Sequence, residues 1–361
     1  MTINPEGKIV IRVNASSLKE STCMLRWTNT ILHGYHGCAS SAAAVYGVAI
    51  HKYVDTMFKT DGDMRLARDR MLESFRVPKF PAGKNSQHLE DERHLIPTAY
   101  NVWDDLVMKD GGYEVMKITS KCWWCEGSGK REWKTPDPTG QGQGQDITGE
   151  ATCPDCNGTG MKEQPATEVT FSVKFYEDEF CVIYLEGTID TLGKIKGGCY
   201  AIRDFKTTSQ YKKDEYLQDY EMSPQLKFYT LAWRLMAEQF PDSLLGQTGA
   251  TNTGVFIDGI FLKPKVVDIE YQRSSVFIFT EKQIDEFRIM LTNLCVRLSE
   301  AARMIHHNHM IKPEGLLNGS CKGEWGKCQY WNACMAGSNY QRVMDSNFKK
   351  KIYDPLRHHD V

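Results

Sequence analysis

The sequence predicts an α/β protein. Segment 167–175 alternates apolar and polar residues with the period of two that is typical of strands, and 8–13 looks like a further short strand. Runs such as 42–58 and 284–305 repeat apolar residues three and four positions apart, as amphipathic helices do. A Lys-Gly-Gly turn at 196–198 between two strand-like segments indicates a hairpin. With 361 residues, the chain is long enough for one domain plus an insertion.

The composition limits the class of protein. Hydrophobic residues make up 41% and charged residues 25%, which is an ordinary globular balance. No apolar run approaches the roughly 18 residues of a membrane span, and the start of the chain lacks the apolar core of a signal peptide. We therefore expect a cytoplasmic protein with no membrane contact. The formal net charge of −2 argues against a globally basic nucleic-acid binder, so such a contact would need a local patch.

The N-terminal third is predicted to be mainly helical. Ser16 or Ser17 would be the N-cap of a first helix that contains Cys23. A lone cysteine in a helix is usually a small buried residue. The later helices of this part are predicted at 42–58, 62–76 and 88–109.

Within the 42–58 helix, Gly47 and His51 are four residues apart and therefore share a face. A close backbone approach at Gly47 would let another element lie beside His51. The alternative for His51 is an interior histidine with its hydrogen bonds satisfied.

Residues 122–160 contain a repeated metal-binding pattern. Cys122 and Cys125 begin one Cys-x-x-Cys-x-Gly-x-Gly segment, and Cys153 and Cys156 begin a second. The glycines allow backbone amides to turn toward the thiolates, and the two pairs supply the four thiolates of a closed tetrahedral zinc site. Twelve cysteines in a reducing compartment also favour metal ligands over disulfides. We therefore expect a structural zinc site in an inserted module.

The hairpin carries acidic and basic residues in register. Folding it about Gly197 places Asp190 directly opposite Asp204, and directly opposed residues share a face of the sheet. Lys206 lies two residues beyond Asp204 and so projects from the same face. Two opposed carboxylates need a counter-charge, for which a hard divalent cation is the usual choice. The alternative is a solvated hairpin with scattered charges.

Helices and strands alternate again after the hairpin. A Ser-Pro pair at 223–224 begins a helix that places Gln225 and Tyr229 on one face. A capping box at 280–283 opens a long helix. We interpret the histidines near its end as solvated side chains rather than metal ligands: His306, His307 and His309. Strands are predicted at 254–263 and 275–279.

Three cysteines cluster near the C-terminus, at Cys321, Cys328 and Cys334. Closely spaced cysteines are a strong ligand signal, but three thiolates are one short of the usual four. The fourth ligand must come from elsewhere in the chain, and Cys23 is the best-placed candidate. The remaining candidates are Cys38, Cys181, Cys199 and Cys295.

These motifs resemble those of the RecB-type nucleases of the PD-(D/E)xK superfamily. The closest resemblance is to their iron–sulfur branch, which includes the AddB nuclease domain and the CRISPR-associated exonucleases. The family motifs occur in order as Gly47…His51, Gly187-Thr-Ile-Asp190, Asp204-Phe-Lys206 and Gln225…Tyr229. The branch has one cysteine near the N-terminus and three near the C-terminus, here Cys23, Cys321, Cys328 and Cys334. The zinc-type insertion is not a standard part of the family.

The resemblance implies a restriction-endonuclease-like α/β fold, with a mixed central sheet flanked by helices and an iron–sulfur clasp that joins the N- and C-terminal segments. It implies metal-dependent hydrolysis of DNA by an exonuclease. His51, Asp190 and Asp204 would hold Mg²⁺ or Mn²⁺ together with the carbonyl of Phe205. Lys206 would orient the attacking water or stabilise developing charge.

The resemblance also implies roles for residues around this centre. Gln225 and Tyr229 would position the scissile strand, and Glu168 is a weaker candidate for an outer metal ligand. The clasp would be a 4Fe–4S cluster bound by Cys23, Cys321, Cys328 and Cys334. The cofactors expected are thus Mg²⁺ or Mn²⁺, an iron–sulfur cluster and Zn²⁺.

We expect four parts along the chain. They are an N-terminal helical part of the nuclease domain at 1–118, the zinc-knuckle insertion at 119–163, the nuclease core with the C-terminal cysteines at 164–340, and a tail at 341–361.

DNA, as single strands or duplex ends, is the expected partner, in recombination, repair or phage DNA processing in a bacterial or phage-infected cell. A helicase or recombination protein is a further candidate partner, and the absence of a Walker A pattern argues against an ATP-driven role for this chain itself. Two alternatives remain open. One is a non-catalytic nucleic-acid-binding protein with two zinc sites, and the other is the nuclease subunit of a larger complex.

Overall fold

A computed structural model describes most of the chain. The described residues are 2–37, 42–75, 92–104, 112–122, 125, 127–135, 147–208, 212–242, 246, 248, 254–262, 269–311, 313–323 and 326–350. Cys38 lies outside them, as do both ends of the helix predicted at 88–109. Within these ranges, no helix combines the length and the apolar character needed to cross a membrane.

The strands account for the segments predicted from alternating patterns and add several short ones. They are β1 (Thr2–Ile3), β2 (Ile9–Val13), β3 (Tyr35–Gly37), β4 (Tyr113–Val115), β5 (Lys117–Lys121), β6 (Lys130–Thr135), β7 (Ile147–Thr152), β8 (Met161–Pro165), β9 (Thr167–Glu177), β10 (Cys181–Ile195), β11 (Tyr200–Thr208), β12 (Gly254–Leu262), β13 (Ile269–Arg273), β14 (Phe277–Ile278), β15 (Lys322–Gly323), β16 (Gly326–Lys327) and β17 (Phe348–Lys350).

The α-helices include every helical run that the sequence predicts. They are α1 (Met24–Ile31), α2 (Ala42–Lys59), α3 (Met64–Phe75), α4 (Glu92–Val102), α5 (Lys213–Gln218), α6 (Pro224–Gln239), α7 (Glu281–His306), α8 (Gly315–Asn318), α9 (Trp331–Met335) and α10 (Tyr340–Asn347). The predicted caps of α6 and α7 are present: Ser223 accepts from the Gln225 amide, and Thr280 forms a capping box with Gln283.

Most strands belong to one mixed sheet. Its main path is β1-β2-β10-β11-β12-β13, with β4 and β9 also paired to β10, and β14 paired to β12. The pairs β2–β10 and β11–β12 are parallel, whereas β10 pairs antiparallel with β11, β9 and β4. Because β10 borders four other strands, it is the axis of the sheet.

Helices cover both faces of this sheet. On one face, α1, α6 and α7 contribute Trp27, Leu226 and Leu291 to a large apolar core. On the other face, α2, α3 and α4 enclose a second core that includes Phe205 and Ile260 of the sheet. The predicted α/β fold, a mixed central sheet flanked by helices, is therefore confirmed.

The central hairpin has the predicted register. Thr191 of β10 pairs with Arg203 of β11, so the next position along the ladder brings Asp190 opposite Asp204. The two glycines of the turn have φ values of +118° and +100°, which a residue with a Cβ rarely adopts. The turn therefore fixes which acidic residues meet.

A buried ionic network holds β11 to its neighbours. The guanidinium of Arg203 donates to Asp258 of β12 at 2.6 Å, and Arg273 of β13 donates to the same carboxylate at 2.7 and 2.9 Å. Arg203 and Asp258 are at most 1% exposed, so each charge depends on its partner. Arg203 directly precedes Asp204 in the sequence, so the network restrains the strand that carries Asp204.

The predicted insertion forms a small module of two strand pairs, β5 with β8 and β6 with β7. The strands β5 and β8 connect the module to the rest of the chain, and its predicted limits, 119 and 163, fall inside these two strands. At the base, the Ala166 amide donates to the Met116 carbonyl at 2.7 Å, and the Leu192 amide donates to the Ala166 carbonyl at 2.9 Å. The module is thus joined by hydrogen bonds to the central hairpin.

Segments from the N-terminal and C-terminal parts of the described chain pack together. β17 pairs antiparallel with β3, and the Tyr330 hydroxyl donates to the Tyr35 carbonyl at 2.7 Å. Met344 of α10 is fully buried. Residues 341–350, which the sequence analysis placed in a tail at 341–361, take part in this packing. A three-residue strand that pairs with a segment distant in sequence gives no recognisable pattern.

The first helical segment begins differently from the prediction. Its N-cap is Asn14, whose side-chain oxygen accepts from the Ser17 amide at 2.8 Å, and not Ser16 or Ser17. The segment Ala15–Thr22 is a 3-10 helix, and Cys23 lies between it and α1 with extended backbone. Cys23 is therefore at a break between two helices rather than inside one.

Candidate active site

The candidate active site lies where β10 and β11 separate. The backbone amide of Phe205 donates a hydrogen bond to Asp190 Oδ2 at 2.7 Å. This side-chain contact continues the strand ladder that ends at Thr191 and Arg203. It holds the Asp190 carboxylate against the strand that carries Asp204.

Helix α2 places His51 at the same point. A Cβ at Gly47, one turn earlier, would lie 3.4 Å from the Thr207 side chain of β11, so α2 passes close to β11 at this point. His51 Nε2 lies 3.0 Å from the carbonyl oxygen of Phe205, and His51 Nδ1 lies 3.5 Å from Asp190 Oδ2. His51 is therefore a member of this polar group and not an isolated interior histidine.

The predicted DNA-positioning residues adjoin Asp204. Lys206 Nζ forms an ion pair with Asp204 Oδ2, while Gln225 Nε2 lies 3.5 Å from Asp204 Oδ1. Gln225 also donates to the Tyr229 hydroxyl at 3.1 Å. A Cβ at Gly187 would lie 2.9 Å from the Phe171 ring of β9, so this glycine leaves room for that ring beside the site.

Glu168 is closer to the centre than the sequence suggested. Val169 of β9 pairs with Ile189 of β10, which places Glu168 beside Asp190. Glu168 Oε1 lies 4.0 Å from His51 Nδ1. The Glu168 backbone has φ +49°, in the left-handed region that non-glycine residues seldom occupy.

The site brings several carboxyl groups close together, and burial and their mutual repulsion shift their pKa values. Desolvation raises the pKa of Glu168, and the charges of Asp190 and Asp55 raise it further. Burial likewise raises the pKa of Asp204 to about 6, with Asp190 adding to the shift and Lys206 opposing it. For Lys206, desolvation would lower the pKa, but Asp204 and Asp190 raise it overall and keep the ammonium charged.

The residues present fit a divalent cation. Three potential ligand atoms, from His51, Glu168 and Asp190, lie within 4.8 Å of one another. Carboxylate oxygens are the ligands that hard cations prefer, and a cation here would offset the repulsion between the carboxylates. Asp204 lies next to this three-residue group but does not belong to it. Its carboxylate contacts Lys206 and Gln225 instead.

The predicted zinc ligands form a closed group. Cys122 Sγ and Cys153 Sγ are 3.9 Å apart, and Cys125 Sγ and Cys156 Sγ are 3.6 Å apart. Four sulfurs at about 2.3 Å from a tetrahedral zinc ion would be about 3.8 Å apart. Burial opposes ionisation of Cys125, but hydrogen bonds from Cys156 and from backbone amides lower its pKa to about 7. The group therefore has the dimensions of a zinc site.

The two knuckles repeat the same backbone contacts. The Cys122 amide donates to the Gly160 carbonyl at 2.8 Å, and the Cys153 amide donates to the Gly129 carbonyl at 2.9 Å. A Cβ at Gly129 or at Gly160 would lie 2.2 or 2.3 Å from a carbonyl oxygen of the other knuckle. The second glycine of each motif is thus required for the two knuckles to pack together.

The other four predicted ligands line one cavity. Its lining consists of Cys23, Cys321, Cys328 and Cys334, together with Leu25, Arg26, Pro313, Ser320, Tyr330 and Trp331. All four cysteines are described residues, yet no three of their sulfurs lie within 4.8 Å of one another, in contrast to the zinc-type group. Of the alternative ligands, Cys181 and Cys295 belong to the main core, and Cys199 is half-buried in the hairpin.

The chain matches the PD-(D/E)XK nuclease superfamily over residues 12–335. That range includes every active-site residue described above and most of the chain, so the protein belongs to this superfamily. PD-(D/E)XK nucleases use divalent metals, and membership supports a metal-dependent nuclease in general. The comparison with curated proteins finds no match.

Removing two knuckle thiolates should remove zinc. We expect Cys122→Ser combined with Cys156→Ser to lose the zinc bound to this module, because each pair of thiolates would be left with one member. Elemental analysis of the purified protein measures this directly. Cys199→Ser, at a half-buried cysteine outside the module, is the control and should leave the zinc content unchanged. An unchanged zinc content in the double variant would contradict the assignment.

Proposed function

We propose that the protein is a metal-dependent DNA nuclease, and specifically an exonuclease. The observation that carries the proposal is the convergence of His51, Glu168 and Asp190 within 4.8 Å, beside the Asp204–Lys206 ion pair. Superfamily membership supports the same class of reaction. Recombination, repair or phage DNA processing is the proposed setting.

Each residue has a proposed part in phosphodiester hydrolysis. His51, Asp190 and Asp204 hold Mg²⁺ or Mn²⁺, with the carbonyl of Phe205 as a further ligand. The cation, when bound, lowers the pKa of a coordinated water and stabilises charge on the phosphate. Lys206 is kept cationic by Asp204, so its ammonium can orient the water or stabilise negative charge that develops on the phosphate.

Gln225 and Tyr229 are proposed to position the scissile strand. They lie one turn apart at the start of α6 and are linked by a hydrogen bond, so they form one polar unit next to Asp204. Gln225 contacts the Asp204 carboxylate, and the pair of Gln225 and Tyr229 could also contact a nucleic-acid strand bound beside Asp204.

We further propose that the C-terminal cavity binds an iron–sulfur cluster. The sulfurs of Cys23, Cys321, Cys328 and Cys334 are too widely spread for one tetrahedral zinc ion, whose ligand sulfurs would be about 3.8 Å apart. All four cysteines nevertheless line one pocket. A 4Fe–4S cluster with four thiolate ligands agrees with both features.

A non-catalytic nucleic-acid-binding protein with two zinc sites is the competing proposal. It would require zinc at Cys321, Cys328 and Cys334 and would leave the polar group around Asp190 without a role. The wide spacing of these sulfurs and the fixed contacts of Asp190 both argue against it. A nuclease subunit that works with a helicase or recombination protein remains compatible with the proposed activity.

Asp204→Asn and Lys206→Ala should each reduce cleavage by about a hundredfold or more, because the first removes a proposed metal ligand and the second removes the ammonium that would stabilise negative charge on the phosphate. The measurement uses 5′- and 3′-labelled single and double strands with Mg²⁺, Mn²⁺ or a chelator, and it also reports polarity and strand preference. Lys196→Ala, at an exposed lysine of the same hairpin, is the control and should cleave normally. Wild-type rates in both active-site variants would refute the assignment.

Cys23→Ser should lose iron and melt at a lower temperature, much as Cys328→Ser should. The reason is that a cluster held by three thiolates is incompletely bound, and its binding is coupled to folding. Iron content, absorbance near about 400 nm and thermal melting of anaerobically purified protein give the readouts. Cys199→Ser should retain full iron. Retention of iron and melting temperature by Cys23→Ser would show that the fourth ligand is a different residue.

A further inference from the structure

We propose that the knuckle module, the insertion that runs from β5 to β8, positions Asp190, so that zinc at its four cysteines raises the affinity of the active site for its divalent cation. The inference deepens the proposed function and rests on it. The residues at the base of the module would be positioning residues, because they act on the cation only through Asp190.

The module interrupts the strand that borders β10. β4 pairs antiparallel with β10 from Gly193 to Ile195, and β9 pairs antiparallel with β10 from Val182 to Ile189. Between β4 and β9, the chain leaves this edge of the sheet, forms the module and returns. The module therefore leaves the sheet beside the short stretch of β10 between Ile189 and Gly193, and this stretch contains Asp190.

Both ends of the module bond to the same residue of β10. The Met116 amide donates to the Leu192 carbonyl at 3.0 Å, and the Leu192 amide donates to the Ala166 carbonyl at 2.9 Å. The Ala166 amide completes the set by donating to the Met116 carbonyl at 2.7 Å. Leu192 and Ala166 are fully buried. Because buried backbone groups need hydrogen-bond partners, the two ends of the module hold Leu192 in place.

Leu192 is two residues from Asp190 along β10. The Asp190 carboxylate accepts from the Phe205 amide at 2.7 Å, and His51 Nδ1 lies 3.5 Å from the same oxygen. A displacement of Leu192 would move Asp190 relative to both of these neighbours. Because a metal site needs its ligands held to within about 0.5 Å, such a displacement should weaken cation binding.

A continuous ladder joins this base to the cysteines. β5 pairs with β8 along its whole length, and the Cys122 amide extends the ladder by donating to the Gly160 carbonyl at 2.8 Å. The buried Gln164 side chain donates to the Lys121 carbonyl at 2.9 Å. A two-stranded pair is marginally stable by itself in water. Metal bound by the four cysteines would fix the far end of this pair, so loss of the metal should loosen the base as well.

The coupling between the two metal sites has to act in both directions. If zinc raises the affinity for Mn²⁺, then Mn²⁺ raises the affinity for zinc by the same factor. Couplings between sites typically change an affinity about 5-fold to 150-fold. We therefore expect a change of about fivefold or more in each direction.

The first test measures Mn²⁺ binding to the full chain without DNA, by calorimetry and by the electron paramagnetic resonance of free Mn²⁺. Cys122→Ser combined with Cys156→Ser should weaken Mn²⁺ binding by about fivefold or more. Cys199→Ser is the matched control, because it replaces a half-buried cysteine outside the module, and it should bind Mn²⁺ normally. Mn²⁺ affinity at the wild-type level in the double variant would overturn the proposal.

The second test breaks the ladder and keeps all four cysteines. Hydrogen-bonded positions alternate along an antiparallel pair, so the bonds at Met116 and Cys122 place the Ser120 amide between β5 and β8 as well. Ser120→Pro removes this amide and should weaken Mn²⁺ binding as the cysteine variant does. Ser120→Ala keeps the amide and should bind Mn²⁺ normally. Equal Mn²⁺ affinity in the two Ser120 variants would overturn the role of the ladder.

The third test separates coupling from a general loss of stability. Zinc affinity is measured by equilibrium competition with a fluorescent zinc indicator that does not bind Mn²⁺. Saturating Mn²⁺ should raise the zinc affinity of the wild-type protein by about fivefold or more and should leave that of Asp190→Asn unchanged. A zinc affinity that is independent of Mn²⁺ in the wild-type protein would show that the module is structural only and would overturn the coupling.

Asp190→Asn also distinguishes this inference from the proposed function. If Asp190→Asn loses Mn²⁺ while the cysteine and Ser120→Pro variants bind it normally, the inference fails and the proposed nuclease site stands. If Asp190→Asn binds Mn²⁺ as the wild-type protein does, both fail. The expected result is weaker Mn²⁺ binding in all three variants, with the Cys199→Ser and Ser120→Ala controls unchanged.

Discussion

The active-site arrangement depends on the register between β10 and β11. Because side chains alternate along a strand, a slip of one residue would turn Asp204 and Lys206 to the opposite face of the sheet. A two-glycine turn sets the register at one end, and the hydrogen bond from the Phe205 amide to Asp190 marks the point where the strands separate. Helix α2 then packs on this fixed hairpin closely enough for His51 to reach both strands.

The two cysteine sites serve different structural needs. Among the described residues of the knuckle module, the buried cluster consists of the four cysteines, so a bound metal would take the place of an apolar core. At the chain ends, strand pairing and buried tyrosine hydrogen bonds already join the N- and C-terminal segments around the cavity. A cluster there would add to existing packing. Loss of metal should therefore unfold the knuckle module more completely than the clasp.

Local patterns predicted much of the fold and the site. The turn predicted the pairing of Asp190 with Asp204, and the repeated Cys-x-x-Cys spacing predicted the group of four cysteines, because both depend only on residues close in sequence. The proximity of Glu168 could not be predicted in the same way, since it depends on the pairing of β9 with β10, which contains an irregularity, and on a left-handed backbone. The packing of 341–350 on β3 likewise depends on a distant partner.

The most direct test of this account is crystallographic localisation of Mn²⁺ from its anomalous scattering, in crystals of the full chain grown with the ion. We expect an ordered peak at the junction of α2 and the hairpin, within coordination distance of both His51 and Asp190. Such a peak would show that the register of the hairpin and the docking of α2 build one cation site. Bound Mn²⁺ elsewhere in the molecule, with no peak in contact with His51 or Asp190, would contradict the account.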